Sequence, residues 1–477
     1  MKTSLKFVVL FTIITMLLAA CAAPAPTDAP VAPEAPVVTE APVEPEAPVA
    51  TEAPGAEDKI VISMEASAYV EAAHKMVYDE LEKMYEAANP NIDIVYNGYP
   101  YADFWDKLTT EIVTGTESCI IEMQSGAQHY GTYAALREGE TGAFVNLDSY
   151  IEKAGLAEKL VDQGSLTYNG HYIGLSDYAW GSRAIYYRKS LFQEAGIDPA
   201  TIKTNDDFLQ AAIKLTKPAE GDKPAQYGFG AVLSTHSFVW DEMKTFIARP
   251  IGAMYTKNNQ PPYTADNVLV DSPEMKWAFK WWQDMIFTHK VTPPGSFDKA
   301  QERELFWNGT VAMSIDGPWF VGMTRAEDPA LMDDLGVFPS PMVNYNGTLY
   351  PFHGETYAIT HLISSNCAYP DEAWKFMEFM TTMEAQQVIT GSGMIPSNLD
   401  FSLSEGYKAA EPLNAQLAAF VDELYYFPAA VDPNIPQLGE MERIMVDAAQ
   451  EAFITGGDVN TILDQAGIDV RAAIESQ

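Results

Sequence analysis

At 477 residues, 47% hydrophobic and 20% charged, the chain is globular in composition and too long for one ordinary core, so two or more domains are expected. Its 66 acidic residues outnumber 29 basic ones, for a formal net charge of −37. A surface of that sign repels phosphate backbones and anionic headgroups, which excludes nucleic acid as a partner but selects no ligand by itself.

In chain order, Lys2 and Lys6 precede an apolar stretch from Phe7 to Leu18 that suits a secretory signal better than a membrane span. The Leu18-Ala19-Ala20-Cys21 that closes it resembles a bacterial lipobox. This implies that residues 1–20 are a lipoprotein signal peptide and that Cys21 carries the lipid. An ordinary signal peptide with an incidental cysteine is the plainer alternative. Residues 21–58 are built mainly from Ala, Pro, Val, Thr and Glu and hold no aromatic, a composition that buries no core. They are expected to be a disordered tether, reaching roughly 100 Å at full stretch.

From Lys59 onward strand and helix signals alternate. "IVISM" (60–64) reads as a strand, and Val70, Ala73, Val77, Leu81, Met84 and Ala88 recur at helical spacing until Asn89-Pro90. "IDIVYN" (92–97) and "CIIEMQ" (119–124) read as further strands. This order implies parallel sheets with crossover helices, whose ligands gather at the carboxyl ends of strands. Ser272-Pro273-Glu274 is a helix start with a cap, a first-turn proline and an acid. The Trp277, Trp281 and Trp282 that follow it are expected in the core. "PDEAWKFMEFMTTMEAQQVI" (370–389) reads as one amphipathic helix with Phe376, Phe379, Met380 and Met383 on one side. Cys119 and Cys367, outside any dense cysteine framework, are expected to be buried and free.

Four segments then resemble one family in order. They are "LFWNGTVAMSIDGPWFV" (305–321), "YIGLSDYAWGSRAIYYRKSLFQEAGI" (172–197), the "DEAWKFMEFMTTMEAQQ" helix with its "GSGMIPSN" exit, and "DPNIPQLGEM" (432–441). The family is the extracellular solute-binding proteins of ABC importers, in the carbohydrate-binding branch of maltose-binding protein. The resemblance implies a two-lobe α/β fold of the type II periplasmic-binding-protein kind, with three inter-lobe crossings near 173–180, 340–352 and 390–396. Lobe one would be 59–175 and 352–390, and lobe two 176–351 and 391–477. Hinge closure over a ligand in the cleft would follow. The pattern is broken at Ser118-Cys119, at Arg188, at Met123 in place of a tryptophan, and at Met441-Glu442 where a sugar platform is usual. A maltodextrin ligand therefore does not follow from the resemblance.

Sugars present flat CH faces to aromatic rings and hydroxyls to paired polar groups. The resemblance implies that Trp319 stacks on the sugar at a strand end after Asp316, with a core role as the alternative. Asp177, Tyr178 and Trp180 are candidates for the cleft floor. Gln124 and Ser125 stand at a strand end of lobe one, and Glu355 at the rim. Asp316, Tyr69 and Trp240 complete the ligand-binding candidates. His129, His171 and His353 lack metal-ligand spacing, so no metal and no cofactor are expected.

No nucleophile, zinc or phosphate-loop motif is present, so an enzyme is not expected. The implied function is a monomeric, lipid-anchored, extracytoplasmic binding protein. It would capture a sugar or short oligosaccharide and pass it to ABC permease subunits. A peptide- or polyamine-binding protein of the same architecture, and a surface glycan-degrading enzyme, remain as alternatives.

Overall fold

Inward Ile62 and Met64 alternate with outward Val61 and Ser63, which makes β1 (Ile60–Ala66) a strand with one face on a core. The structure is a computed structural model. It describes residues 59–476 apart from 125–126, 162, 179–182, 222–223, 236, 260, 352–358, 421–431, 434 and 436. Residues 56–477 form one compact unit. The expectations for the signal, Cys21, the tether, Ser125, Trp180 and Glu355 fall outside the described residues.

After β1 the chain forms α1 (Ala72–Ala88), burying Ala73, Val77, Tyr78, Leu81 and Tyr85, and returns as β2 (Ile92–Gly98). Next come α2 (Tyr101–Thr114), β3 (Ile120–Gln124), the small ladder of β4 (Thr167–Tyr168) with β5 (His171–Tyr172), and β6 (Gly174–Tyr178). β7 (Ala184–Arg188) opens a second layer that includes α3 (Asn205–Leu215), α4 (Phe238–Met243), α5 (Pro273–Phe287) and α6 (Lys299–Trp307). There follow β8 (Met313–Asp316), α7 (Trp319–Glu327), β9 (Leu335–Pro339) and a hairpin of β10 (Val343–Tyr345) and β11 (Thr348–Tyr350). The chain then makes β12 (Ile359–Ile363), α8 (Pro370–Met380), α9 (Met383–Ile389), α10 (Leu438–Phe453) and α11 (Val459–Glu475).

Helix starts follow side-chain chemistry. Thr204 with Asp207, and Asp298 with Gln301, form reciprocal capping boxes for α3 and α6, while Ser272 accepts from the Met275 amide at α5.

Two sheets result. The first runs β2-β1-β3-β12-β6, with β12 antiparallel to both neighbours, and the second runs β8-β7-β9, with β7 antiparallel to both. Each is covered on both faces. Ile62, Met64, Leu175 and Ile363 face α1 and α8, while Phe104, Ile121, Met123 and Leu362 form the opposite core. In the second layer Ile185, Met313 and Phe338 join α5, α10 and α11, and Tyr186, Leu335 and Phe320 fill the other side. Trp282 is buried, and Trp277 and Trp281 pack against the same core, as their helical spacing indicates.

Three local expectations need correction. Cys119 and Cys367 are half-buried and joined in a disulfide, with Cα atoms 4.5 Å apart. They flank Ile120 and Ile363, which are direct partners in the β3–β12 ladder, a proximity that 248 residues of separation conceal. The helix expected over 370–389 is two, because Thr382 accepts from the Ala385 amide and restarts the chain as α9. Met383 is therefore 50% exposed instead of sharing the face of Phe376 and Met380. Trp319, expected at a strand end, instead begins a helix, as the first residue of α7.

Candidate ligand cleft

The sheet registers define two edges. In the first sheet Ile359 is level with both Gln124 and Tyr178, so the ends of β3 and β6 and the start of β12 share one edge with the segment after Ala66. In the second, Ala184 is level with both Asp316 and Pro339, which puts the end of β8 beside the start of β7. β6 ends on the first edge at Tyr178 and β7 begins on the second at Ala184.

Polar side chains beneath the first edge are tied to one another. The buried Glu122 accepts from Ser67 at 3.4 Å and from Tyr78. Tyr130 donates to Thr360 at 2.8 Å. Asp177 is fully enclosed, its carboxylate 3.2 Å from His361. Its carbonyl accepts from Gln386 at 2.9 Å and Ser397 at 2.5 Å. Asp177 thus binds the β6 exit to the 386–398 segment, and it is not an open floor residue. The cause is register: Asp177 lies where β6 meets β12 and α9. Tyr69 is half-buried, its ring stacked on Tyr96 at 4.9 Å and its hydroxyl donating to Asp79 and accepting from Lys75.

Ion pairs dominate the second edge. Arg303 holds Asp316 bidentately, at 2.7 and 3.1 Å, and the Gly317 amide donates to the same carboxylate at 2.8 Å. Burial alone raises the Asp316 pKa, but Arg303 and Lys299 overcome it and bring it to about 2. Lys299 donates to Glu242 at 2.9 Å, to Glu302 at 2.8 Å and to the Ile315 carbonyl at 2.6 Å. A second group links Arg183 to Asp241 at 2.5 Å, Asp241 to Lys244 at 3.2 Å, and Lys244 to Asp432 at 2.9 Å. Asp316, expected to meet the ligand, is instead 2% exposed and positions Arg303.

Arg303 also acts across the edges. Burial pushes Glu71, beside α1, upward, but its bond to His74 at 3.0 Å and the Arg303 guanidinium bring it below the ordinary carboxylate value.

Trp319 is where these pieces meet. Its indole folds back over Gly317, leaving no room for a Cβ there, and Tyr186 fixes the Gly317 carbonyl at 2.7 Å. The ring stays half-buried and packs against the core of the first sheet although β8 belongs to the second. Further along α7, Gly322 approaches the Ser392-Gly393 turn so closely that neither glycine has space for a side chain. Trp240 is a different case. It is fully buried in the second core, its indole donating to Tyr255 at 2.9 Å, so it is not a cleft residue. Arg183, Glu71 and Arg303 were not singled out in the sequence; the partner of Arg183 lies 58 residues along the chain, and no motif marks the Glu71–His74 and Arg303–Asp316 pairs.

Two sheets joined by crossing segments, with facing polar edges, define an α/β two-lobe binding protein. The bacterial extracellular solute-binding protein family matches residues 66–387, and the chain belongs to it. A binding protein of Brucella abortus is 26% identical over 409 residues, 83% of this chain and 90% of that protein. A Thermotoga lettingae ABC-transporter solute-binding protein bound with α-D-tagatose superposes with a TM-score of 0.71 at 19% identity, covering 88% of this chain and all of that one. A maltose-bound T. maritima protein gives a TM-score of 0.71 at 19% identity over 86% and 99% of the two chains. Among the described residues no helix is long and apolar enough to cross a membrane.

Proposed function

We propose that this chain captures a sugar or short oligosaccharide between its two sheet edges and delivers it to the permease of an ABC importer. The observation that carries the reading is the half-buried indole of Trp319, seated on Gly317 at the end of β8 and bridging to the core of the other sheet. A half-buried indole at a strand end can stack on the flat face of a sugar. The lobes expected at 59–175 with 352–390 and at 176–351 with 391–477 are shifted at their first boundary, because β6 keeps Ser176, Asp177 and Tyr178 in the first sheet. Tyr178, Trp180, Gln124, Ser125 and Glu355 are proposed to complete the cleft. Attachment to the membrane through a lipid on Cys21 belongs to the same proposal, and Cys21→Ser is expected to release the protein to the soluble fraction with binding intact.

The sugar-bound neighbours in structure support the class of ligand without naming it. A thermal-shift screen over mono- and oligosaccharides tests it, since a ligand at one hundred times Kd adds about 2.7 kcal/mol to stability. A shift with at least one sugar, without any product from it, supports the proposal. Shifts confined to polyamines or peptides, or turnover of a glycan, would replace it.

A further inference from the structure

From the last residue of α9 to Asn398 the chain is held by both lobes in turn. Ile389 and Met394 are buried in the core of the first sheet, whereas Ile395, next to Met394, is buried with Tyr186, Phe320 and Leu335 of the second. Gly391 lies against Val77 of α1, where an added Cβ would stand 3.6 Å from that side chain. Gly393 is seated on Gly322 of α7 with a φ of +80°, a conformation that suits glycine. Neighbouring residues thus alternate between the lobes instead of passing once from one to the other.

Two buried amides fix the ends of this segment. On the side of the first lobe, Gln386 of α9 is fully enclosed. It donates to the Asp177 carbonyl at 2.9 Å and to the Met380 carbonyl at 2.8 Å, and accepts from the Asn398 amide at 3.1 Å. Ser397 adds to this anchor. Its hydroxyl donates to the Ser176 carbonyl at 2.9 Å, and its own carbonyl accepts from the Val161 amide at 3.0 Å. On the side of the second lobe, Asn414 is fully enclosed in the helix Pro412–Phe420 and donates to the Gly393 carbonyl at 3.0 Å. Leu417 and Ala418 place that helix in the core of Phe320 and Leu335. Between the two anchors, residues 393–397 belong to neither a helix nor a strand.

We propose that the lobes turn about residues 393–397, and that Gln386 and Asn414 are positioning residues that set ligand affinity from outside the cleft by holding this pivot, one to each lobe. The inference rests on the two-lobe binding reading and does not require that the ligand be a sugar. Both amides are enclosed, so they act on a ligand only through the placement of the lobes. Loss of either lets the pivot slide against one lobe and adds open arrangements to the free protein. A ligand gripped by both edges then meets a smaller fraction of molecules competent to hold it, and its apparent affinity falls by that fraction.

The test compares X-ray scattering from the ligand-free full chain of wild type, Gln386→Leu, Asn414→Leu and Gln283→Leu. Gln283 is the matched control, since its amide donates to the Ala452 and Gly457 carbonyls at 3.0 and 2.8 Å, all within the second lobe. Circular dichroism and Tm establish that each variant is folded. Ser397→Ala, which removes only a hydroxyl, replaces Gln386→Leu if that variant does not fold. The pivot variants should have a larger radius of gyration than wild type, and Gln283→Leu an unchanged one. Every sugar that shifts the wild type in the thermal-shift screen is then titrated calorimetrically at a temperature where all variants are folded. Gln386→Leu and Asn414→Leu should bind it about tenfold more weakly, and Gln283→Leu within about twofold of wild type. Glutamines and asparagines that served packing alone would lower Tm and leave affinity unchanged. Wild-type radii in both pivot variants, or affinities changed no more than in Gln283→Leu, overturn the pivot and leave the sugar reading standing. If no sugar shifts the wild type, the sugar reading fails and the radii decide the pivot.

Discussion

The two edges of the cleft are built from different chemistry. The first is held mainly by hydroxyl, amide and aromatic contacts, namely Ser67 and Tyr78 on Glu122, Tyr130 on Thr360 and Tyr69 on Tyr96, with Asp177 and His361 as its one buried pair among those described above. The second is held by buried ions: Arg303 with Asp316, Lys299 with Glu242 and Glu302, Arg183 with Asp241. A buried ion pair stabilises little in net terms, because desolvation offsets most of the attraction, yet it is severely destabilising when one partner is removed. Removing one partner of a neutral hydrogen bond has a smaller penalty, about 1–3 kcal/mol for the group left unsatisfied. The second edge is therefore the more brittle wall, with fixed positions for its charges, and the first is the more tolerant.

The largest effect should come from breaking a pair on the brittle side. Arg303→Ala leaves Asp316 charged, enclosed and without its bidentate partner, and is expected to lose about 3–5 kcal/mol in denaturant unfolding. Asp316 also sets a pH limit for this wall. Its folded pKa is depressed to about 2, so its contribution is complete above the ordinary carboxylate range and disappears as pH falls through 2. If Arg303→Ala unfolds no more easily than a neutral replacement on the first edge, the contrast between the walls is wrong.

On the tolerant side the main fixed point is covalent. The Cys119–Cys367 bridge fastens β3 to β12, the strands between which the chain leaves for the second sheet and returns. Replacing both cysteines with serine should lower stability by about 2–5 kcal/mol, read by unfolding with and without reductant, and reductant should no longer matter in the variant.

Glu65, at the end of β1, sharpens the comparison in the opposite direction. It is 1% exposed and burial raises its pKa to about 7, against the pull of Lys107. Because the folded state holds this proton more tightly, the protein loses stability as pH rises from the unfolded value, near 4.5, through 7. Glu65→Gln should therefore gain on the order of 1–3 kcal/mol at pH 8 and nothing below pH 4.5. The smallest effect belongs to Tyr130→Phe, which removes one bond to Thr360 and should cost about 1 kcal/mol.

Much of the frame was readable from local pattern. Alternation in "IVISM", helical spacing up to Asn89-Pro90, and the cap at Ser272 all act within a few residues, and each element formed where those signals pointed. What joins distant segments was not readable. The partners of Arg183, Lys244 and Asp177 lie 58, 188 and 184 residues away, and no spacing rule connects them. The break between α8 and α9 was hidden because Thr381-Thr382 carries neither glycine nor proline. Trp240 looked accessible among the polar residues of "THSFVWDEM", but α4 turns its indole inward to Tyr255. Trp319 was legible as special, through its place after Asp316-Gly317-Pro318. The fold-back of its ring on Gly317 was not.

Trp319 is also where the account is most directly exposed to test. Calorimetric titration of Trp319→Ala with the sugar found by the screen, beside denaturant unfolding of the ligand-free variant, separates binding from packing. An indole that is half-buried and waits for a ligand should cost under about 2 kcal/mol of stability when removed, while affinity falls roughly thirtyfold, as for other aromatic anchors. A loss of about 3–5 kcal/mol in the free protein with affinity unchanged would make Trp319 a core plug and contradict the cleft as described.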